Sequence, residues 1–370
     1  MPVFEILFYI FIVIIGIQLI FHGIIFGKFA THKPPATTKK NRAVSVIICA
    51  KNEAENLKLN LPYFIDQDYE SFEIVLINDS STDDTLEVME AFKAQHNNLK
   101  IVNVKPVEKF WGNKKYALTL GIKAASNNLL LFTDADCKPL SKHWITEMSA
   151  HFSNQTAIIL GYGAYQKIKG SFLNLIIRFE TFMTAVQYFS YAKIGWPYMG
   201  VGRNLAYKKE LFFEANGFID HIDKMSGDDD LFINQMATKA NVAICVSKDS
   251  FTESLPKTTF KSWMLQKRRH ISTAVHYKMK HKILLTVFYV SQILFWLLGS
   301  LLLAMLFQWK IVLALIILRF LIQYINLYLA SKKLNETRLI LFLPVLEIVL
   351  ILFQFFIFIK NLSSKPHHWK

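Results

Sequence analysis

The apolar residues of this chain gather at its two ends and the polar ones between them. From Phe4 to Phe26 there is no Lys or Arg and a single acid, Glu5. A helix of that length crosses a hydrocarbon core of about 30 Å. Three further apolar stretches follow near the C-terminus, roughly Ile283 to Phe307, Ile311 to Ala330 and Leu339 to Ile359, separated by Gln308-Trp309-Lys310 and by Ser331 to Arg338. The pattern predicts four spans, with three as the alternative. A cleaved signal peptide is the rival reading of the first stretch. It would carry an apolar core of only about 7–15 residues behind a basic residue and ahead of a small-x-small site, so a retained anchor is expected instead.

Between the ends the periodicity changes. Val44 to Ala50 is a β-branched apolar run, followed by a helical stretch from Glu53 to Phe64 and a second strand from Glu73 to Ile77. Thr82 to Gln95 reads as a helix, Lys100 to Val104 as a strand, Asn113 to Ala125 as a helix and Asn128 to Thr133 as a strand. Such alternation predicts a parallel sheet covered by helices. In such sheets ligands bind beyond the carboxyl ends of the strands, so the loops after Ala50, Ile77 and Phe132 are expected to converge on one crevice.

Charge orients this arrangement. Lys28, Lys33, Lys39, Lys40 and Arg42 follow the first span, and Lys332, Lys333 and Arg338 separate the last two. The positive-inside rule then places the middle of the chain in the cytosol. Lys360, Lys365 and Lys370 fall on the outer side in this scheme, against the rule. The expected division is an anchor over 1–27, a basic linker over 28–42, a catalytic domain over 43–255, an amphipathic interface segment over 256–281, C-terminal spans over 282–360 and a tail over 361–370. Hydrophobic residues make up 52% of the 370 and charged residues 19%, with a net charge of +14. Because the Lys and Arg cluster beside the apolar spans, anionic lipid is the expected partner and nucleic acid is not. Cys49, Cys137 and Cys245 are isolated and odd in number, without the spacing of a disulfide framework or zinc site. Buried, reduced thiols are expected.

The candidate chemistry lies at the strand ends. Asn78-Asp79-Ser80-Ser81-Thr82-Asp83 places an acid after the second strand and hydroxyls at a helix start. Binding a base or ribose and simply capping the helix are both open readings there. Asp134-Ala135-Asp136 sets two carboxylates at the tip of another strand, hard oxygen ligands suited to Mg²⁺ or Mn²⁺. Asp228-Asp229-Asp230 packs three acids before a helical run; like charges raise one another's pKa, so one of them is a candidate general base. Trp111-Gly112-Asn113-Lys114-Lys115 offers a turn and two cations for a phosphate, or two solvated lysines. Phe260 to Met279 is a basic amphipathic stretch, and Ser171 to Trp196 is aromatic but too polar to span, suited to the membrane interface.

The order of these signals resembles family 2 glycosyltransferases, which have a GT-A fold. Ala50-Lys51-Asn52-Glu53 and Asn78 to Asp83 match the nucleotide-binding half, and the likeness extends to about His270. The resemblance implies that Ala50, Asn52, Glu53 and Asp79 contact the nucleotide, that Asp134 and Asp136 hold the metal and diphosphate, and that Lys114 is a phosphate contact. It makes Asp229, beside Asp228, the position of the catalytic base, with Asp230 as competitor. Gln266-x-x-Arg269-His270 is similar to the Gln-x-x-Arg-Trp motif of membrane synthases, with His270 in place of Trp, and Gln266 and Arg269 are the candidates for closing over the diphosphate. Gly200 to Tyr207 looks like the segment near the acceptor, with Arg203 intruding beside Asn204.

The expected protein is therefore a multi-pass enzyme of the cell membrane with a cytosolic Rossmann-like domain. It inverts a sugar from a nucleotide-sugar, UDP-linked by family habit, onto a lipid or glycan acceptor. The alternatives are a processive polysaccharide synthase, a transporter using Arg319 and Glu347 with a nucleotide-sensing domain, and an inactive binding protein on the same fold.

Overall fold

The computed structural model describes residues 2–34, 41–105, 114–224 and 226–363. The chain begins with helix α1 (Pro2–Leu19), which passes through a π-helical turn at Ile20–Ile25 into α2 (Phe26–Ala30). Next comes an alternation of β1 (Val44–Ala50), α3 (Ala54–Ile65), β2 (Phe72–Asp79), α4 (Thr85–Gln95), β3 (Leu99–Val104), α5 (Lys114–Ala124) and β4 (Leu129–Asp134). The first four strands lie parallel in the order β3-β2-β1-β4. Of the expected turn before α5, Trp111-Gly112-Asn113 lies outside the described residues, as do Lys39, Lys40, Lys365 and Lys370.

The continuous apolar runs arise because both faces of the sheet are covered. Val46, Ile48, Ile74, Leu76, Leu129 and Leu131 point to one core with Leu57, Leu61 and Phe64 of α3. Ile47, Val75, Ile77, Leu130 and Phe132, one residue out of phase, point to the other with Ala117, Leu118 and Ile122 of α5. That second core continues without a break into Phe26, Phe29, Phe288 and Leu327 of the apolar helices.

Beyond β4 the chain adds β5 (Cys137–Pro139), α6 (Trp144–Ala150), β6 (Ile158–Leu160), β7 (Gly163–Tyr165), α7 (Phe172–Lys193), β8 (Leu205–Lys208), α8 (Lys209–Glu214), α9 (Asp230–Met236), β9 (Val242–Ile244) and β10 (Thr252–Ser254). β8 pairs antiparallel with β4 and β6, and the main sheet reads β3-β2-β1-β4-β8-β6-β9. β5, β10 and β7 form a small second sheet. α7 differs from its expected place at a membrane surface: Ile177, Phe182, Val186, Phe189 and Tyr191 are fully buried, and Phe29 of α2 stacks on Phe189 at 5.0 Å. Its polar residues are spent on internal pairs, Arg178 with Glu336 and Glu180 with Lys267.

The chain ends with α10 (Phe260–Ile271), α11 (Met279–Ala304), α12 (Trp309–Lys333) and α13 (Leu343–Ser363). Four helical stretches are long and apolar enough to cross a membrane: Val3–Ala30, Met279–Ala304, Trp309–Lys333 and Thr337–Ser363. The four-span expectation holds, with helix bounds shifted by a few residues: three helices run beyond their apolar stretches, while α11 starts before Ile283 and stops at Ala304, short of Phe307. Where they meet, Arg319 is fully buried and pairs with Glu347. Arg319 Nη1 donates to Gln323 Oε1 at 2.6 Å, its Nη2 to Gln18 Oε1 at 2.9 Å, and Gln292 Nε2 donates to Glu347 Oε1 at 3.1 Å. One polar network thus joins all four spans. In hydrocarbon such groups are tolerated when they satisfy one another.

Candidate active site

The loops after β1 and β2 are laced together by their own polar groups. Asn52 takes a left-handed conformation, φ 55°, and its Oδ1 accepts the Thr82 N–H at 2.8 Å. The Glu53 N–H donates to Thr85 Oγ1 at 2.8 Å and the Ala54 N–H to Asp83 Oδ2 at 3.2 Å. Asp83 therefore reaches across to the first turn of α3 with one oxygen, while its Oδ1 accepts the N–H of Thr85, the first residue of α4, at 3.1 Å. Ala50 is buried at the strand end beside Asn78. Asp79, at the tip of β2, is buried; its Oδ2 has no hydrogen-bond partner among the described residues, and burial raises its pKa above the usual carboxylate range. An unsatisfied buried acceptor is costly to keep, and this one sits at the crevice end of the strand.

Asp134 ends β4, which pairs with β1 on the side away from β2, and Asp136 follows it. Ligand atoms of Asp134, Asp136 and Cys137 lie within 4.8 Å of one another. The two carboxylates are hard donors that fit a divalent cation such as Mg²⁺ or Mn²⁺. The Cys137 thiol is buried and donates to Asp136 Oδ1 at 3.5 Å. All three cysteines are free, and Cys49, expected to be buried, is partly exposed. Lys114, the first residue of α5, bridges the acidic motifs: its Nζ lies 2.8 Å from Asp134 Oδ1 and 3.1 Å from Asp228 Oδ2. Desolvation pushes Asp134 upward, but the Lys114 charge outweighs it and holds the carboxyl low; Asp136, half-buried, is pushed up by desolvation and by the Asp134 charge. Lys115 turns away from the crevice. Its Nζ donates to the carbonyls of His221 at 2.6 Å, Lys224 at 3.0 Å and Ser226 at 2.7 Å. It shapes the loop that delivers the three acids, and burial lowers its pKa to about 8.

The three acids have three different surroundings. Asp228 faces Lys114. Asp229 Oδ2 accepts the Gly202 N–H at 2.6 Å and its Oδ1 the Asp230 N–H at 2.7 Å, capping α9. A side chain at Gly202 would stand 3.3 Å from Asp229 Oδ2. Burial, with Asp228 and Asp230 alongside, raises Asp229 to about 7. Asp230 is buried beneath, where its Oδ2 accepts from Thr273 Oγ1 and from Tyr277 OH, the latter at 2.5 Å. Asp230 is thereby occupied in tying α9 to the segment that leads into α11, and Asp229 faces a small void lined also by Lys114, Asp134 and Asp228.

The last two candidates come from α10. Arg269 is partly buried, which lowers its pKa, and the negative charges that oppose this are those of Asp228, Asp134 and Asp229. Gln266 Nε2 donates to Tyr165 OH at 3.5 Å. α10 is clamped to the apolar helices, with Trp263 stacked on Phe353 at 3.9 Å and Arg268 Nε donating to Asn361 Oδ1 at 2.8 Å. Tyr165, Thr273 and Tyr277 were not marked by any motif, and Lys115 was marked only as a candidate phosphate contact; their roles arise from contacts between distant parts of the chain.

This arrangement of fold and acidic crevice is that of a glycosyltransferase. A mannosyltransferase from Pyrobaculum calidifontis, solved with GDP-Man and Mn²⁺, superposes on 90% of this chain and 98% of its own with a TM-score of 0.59; at 18% identity the likeness is one of fold. Residues 8–370 match the model of Glycosyl transferase family 21, and the chain belongs to that family. The motifs' resemblance to family 2 reached the class of enzyme, while the matching model is that of family 21. Among curated relatives are an uncharacterized glycosyltransferase of Haemophilus influenzae, 30% identical over 39% of this chain and 41% of its own, and glycosyltransferase AglE of Haloferax volcanii, 33% identical over 28% and 33%. A poly-beta-1,6-N-acetyl-D-glucosamine synthase of Staphylococcus epidermidis is 33% identical over 25% of this chain and 21% of the relative. The matches thus span at most 41% of these relatives' own lengths.

Proposed function

We propose that the protein is a membrane-bound, inverting glycosyltransferase that moves a sugar from a nucleotide-sugar, UDP-linked in preference to GDP-linked, onto a hydroxyl of a lipid or glycan acceptor at the cytosolic face. The observation that carries this reading is the placement of Asp229, held by the Gly202 N–H, in one crevice with Asp134 and Lys114. Ala50, Asn52, Glu53 and the open acceptor on Asp79 would receive the nucleoside. Asp134 and Asp136 would hold Mg²⁺ or Mn²⁺, which when bound neutralises charge on the departing diphosphate. Asp229 takes the proton of the acceptor hydroxyl as that oxygen forms its bond to the anomeric carbon, and the bond from that carbon to the diphosphate breaks. Asp228 keeps Lys114 in place beside the diphosphate oxygens, with Gln266 and Arg269 closing over them.

Single transfer is favoured over polymer extrusion or transport. The ionisable groups deep in the spans, Arg319 and Glu347, are paired and hydrogen-bonded to Gln18, Gln323 and Gln292. They line a closed polar knot rather than a path.

The test is transfer of labelled sugar from a panel of nucleotide-sugars to a membrane lipid extract by the purified protein, followed across pH. A general base must be ionised to act, so the rate is expected to rise with pH through an apparent pKa at or somewhat below about 7, a bound cation drawing the value of Asp229 down. A rate that falls as pH rises from 5 to 7 (about the span in which this carboxyl ionises) would remove Asp229 from that role.

A further inference from the structure

A cavity of about 160 Å³ lies apart from the crevice, between the C-terminal end of α7 and β9. That is many times the room one water needs. Lys193, Gly195, Lys239, Val242 and Ile244 are among the residues that line it. β9 is the last strand of the main sheet, three strands from β4 and its Asp134, about 14 Å at the usual strand spacing. The transfer chemistry proposed above makes no use of it.

The lining suits an anion. The last carbonyls of α7 are already engaged: those of Ser190, Tyr191 and Ala192 accept the N–H groups of Ile194, Trp196 and Gly195 at 3.0, 2.8 and 3.0 Å. Gly195, at φ 86°, closes that turn and leaves space for Lys239, whose Cδ would stand 2.9 Å from a side chain there. Because β9 is an edge strand, the N–H groups on its outer side meet no neighbouring strand. Lys193 and Lys239 are exposed, and among the described residues neither has a carboxylate partner.

The cavity stands where the spans leave the membrane. Phe189 of α7 stacks on Phe29, near the end of the first span. One helical turn further on, the Lys193 charge reaches His32: burial, then the charges of Lys193 and Lys333, lower that imidazole to about 4. Lys333, the last residue of α12, donates to the His32 carbonyl at 2.6 Å. Trp196 is exposed, and the ammonium of Lys280, at the start of α11, lies 5.9 Å from its ring centroid. The ends of three spans thus meet the C-terminal end of α7, and an exposed Trp among clustered lysines suits the headgroup layer.

We propose that this cavity is a headgroup site, which holds the phosphate of an anionic phospholipid between Lys193 and Lys239 as a bound lipid and not as the acceptor of sugar transfer. The inference goes beyond the glycosyltransferase reading and depends only on the apolar helices crossing a membrane. Two ammonium groups and the outward N–H groups of β9 offer donors to phosphate oxygens, and lysine binds phosphate as a point charge. The lipid source follows from the position at the ends of the spans, where an anionic leaflet concentrates such phosphates. A lipid held there ties the far edge of the sheet to the membrane surface.

The experiment is a calorimetric titration of the full chain, purified in a neutral detergent, with dihexanoyl phosphatidylglycerol, dihexanoyl phosphatidylcholine and inorganic phosphate. The phosphatidylcholine carries the same phosphate together with a cation of its own. Wild type is expected to bind the phosphatidylglycerol about thirtyfold tighter, roughly what two lysines contribute at an anionic surface. In the double variant Lys193→Gln with Lys239→Gln that preference is expected to vanish, and in Lys193→Arg with Lys239→Arg to persist. The control pair Lys33→Gln with Lys332→Gln removes the same charge from exposed positions outside the cavity, and it should keep the preference. Equal binding of the two lipids by wild type would overturn the proposal, as would an equal loss in both Gln pairs, the mark of a diffuse basic surface. Inorganic phosphate binding as tightly as the phosphatidylglycerol would replace the lipid by a free anion. No nucleotide is present, so the result stands apart from any failure of the donor site.

Discussion

Replacing Asp229 by Asn is expected to lower the turnover of sugar transfer by about 10²–10⁴-fold, the usual contribution of a general base, with nucleotide binding unchanged. Asn is nearly isosteric and a good helix cap, and its one amide oxygen keeps one of the two N–H groups that Asp229 accepts, from Gly202 and Asp230, so the fold is expected to hold at the loss of the other bond. What it loses is the ability to take a proton. Asp230→Asn is the informative contrast. Its Oδ2 accepts from Thr273 and Tyr277 and has no part in the crevice, so that variant should melt earlier and lose less turnover. Single-turnover rates and melting curves of the two variants check the assignment; the reverse pattern would exchange the two roles.

The second large effect is expected in the spans. Arg319→Leu leaves Glu347 buried without its partner, a change that typically costs about 3–5 kcal/mol when a buried pair is broken from one side. The double variant Arg319→Leu with Glu347→Leu removes both charges, and it should recover most of the loss, since well-packed apolar residues often replace such a pair without penalty. Melting of the purified proteins in detergent decides this. If the single and double variants melt alike, the pair does not staple the helices, and the transport reading of Arg319 and Glu347 regains ground.

The parallel half of the sheet was legible because each of its central strands is apolar on both faces. Ile47 and Ile48 belong to different cores, which is why β1 is a continuous run rather than an alternation. The acids at strand ends were legible for the same reason, since a polar break after such a run has only the sheet edge to occupy. The difference between Asp229 and Asp230 was not. It depends on Thr273 and Tyr277, 43 and 47 residues away, and three adjacent aspartates carry no local mark of which one is tied down. α7 was read as a surface element because Arg178, Glu180 and Lys193 are polar; two of these are neutralised by Glu336 and Lys267, distant partners that allow a charged helix to be buried. Asp83 joins both helix starts: its Oδ2 accepts the Ala54 N–H of α3 across the crevice and its Oδ1 the Thr85 N–H of its own helix, a double role that no local pattern marks.

Donor binding can be separated from every question of acceptor by one measurement, the melting temperature of the detergent-purified full chain with UDP or GDP, with and without Mn²⁺, in wild type and in Asp136→Ala. A ligand that binds only the folded state raises that temperature, by about 2.7 kcal/mol of stabilisation at a hundredfold excess over its Kd. The account predicts stabilisation by one nucleotide, UDP in preference to GDP, that requires Mn²⁺ and disappears in Asp136→Ala. Stabilisation by neither nucleotide, or stabilisation that survives intact in Asp136→Ala, would contradict it.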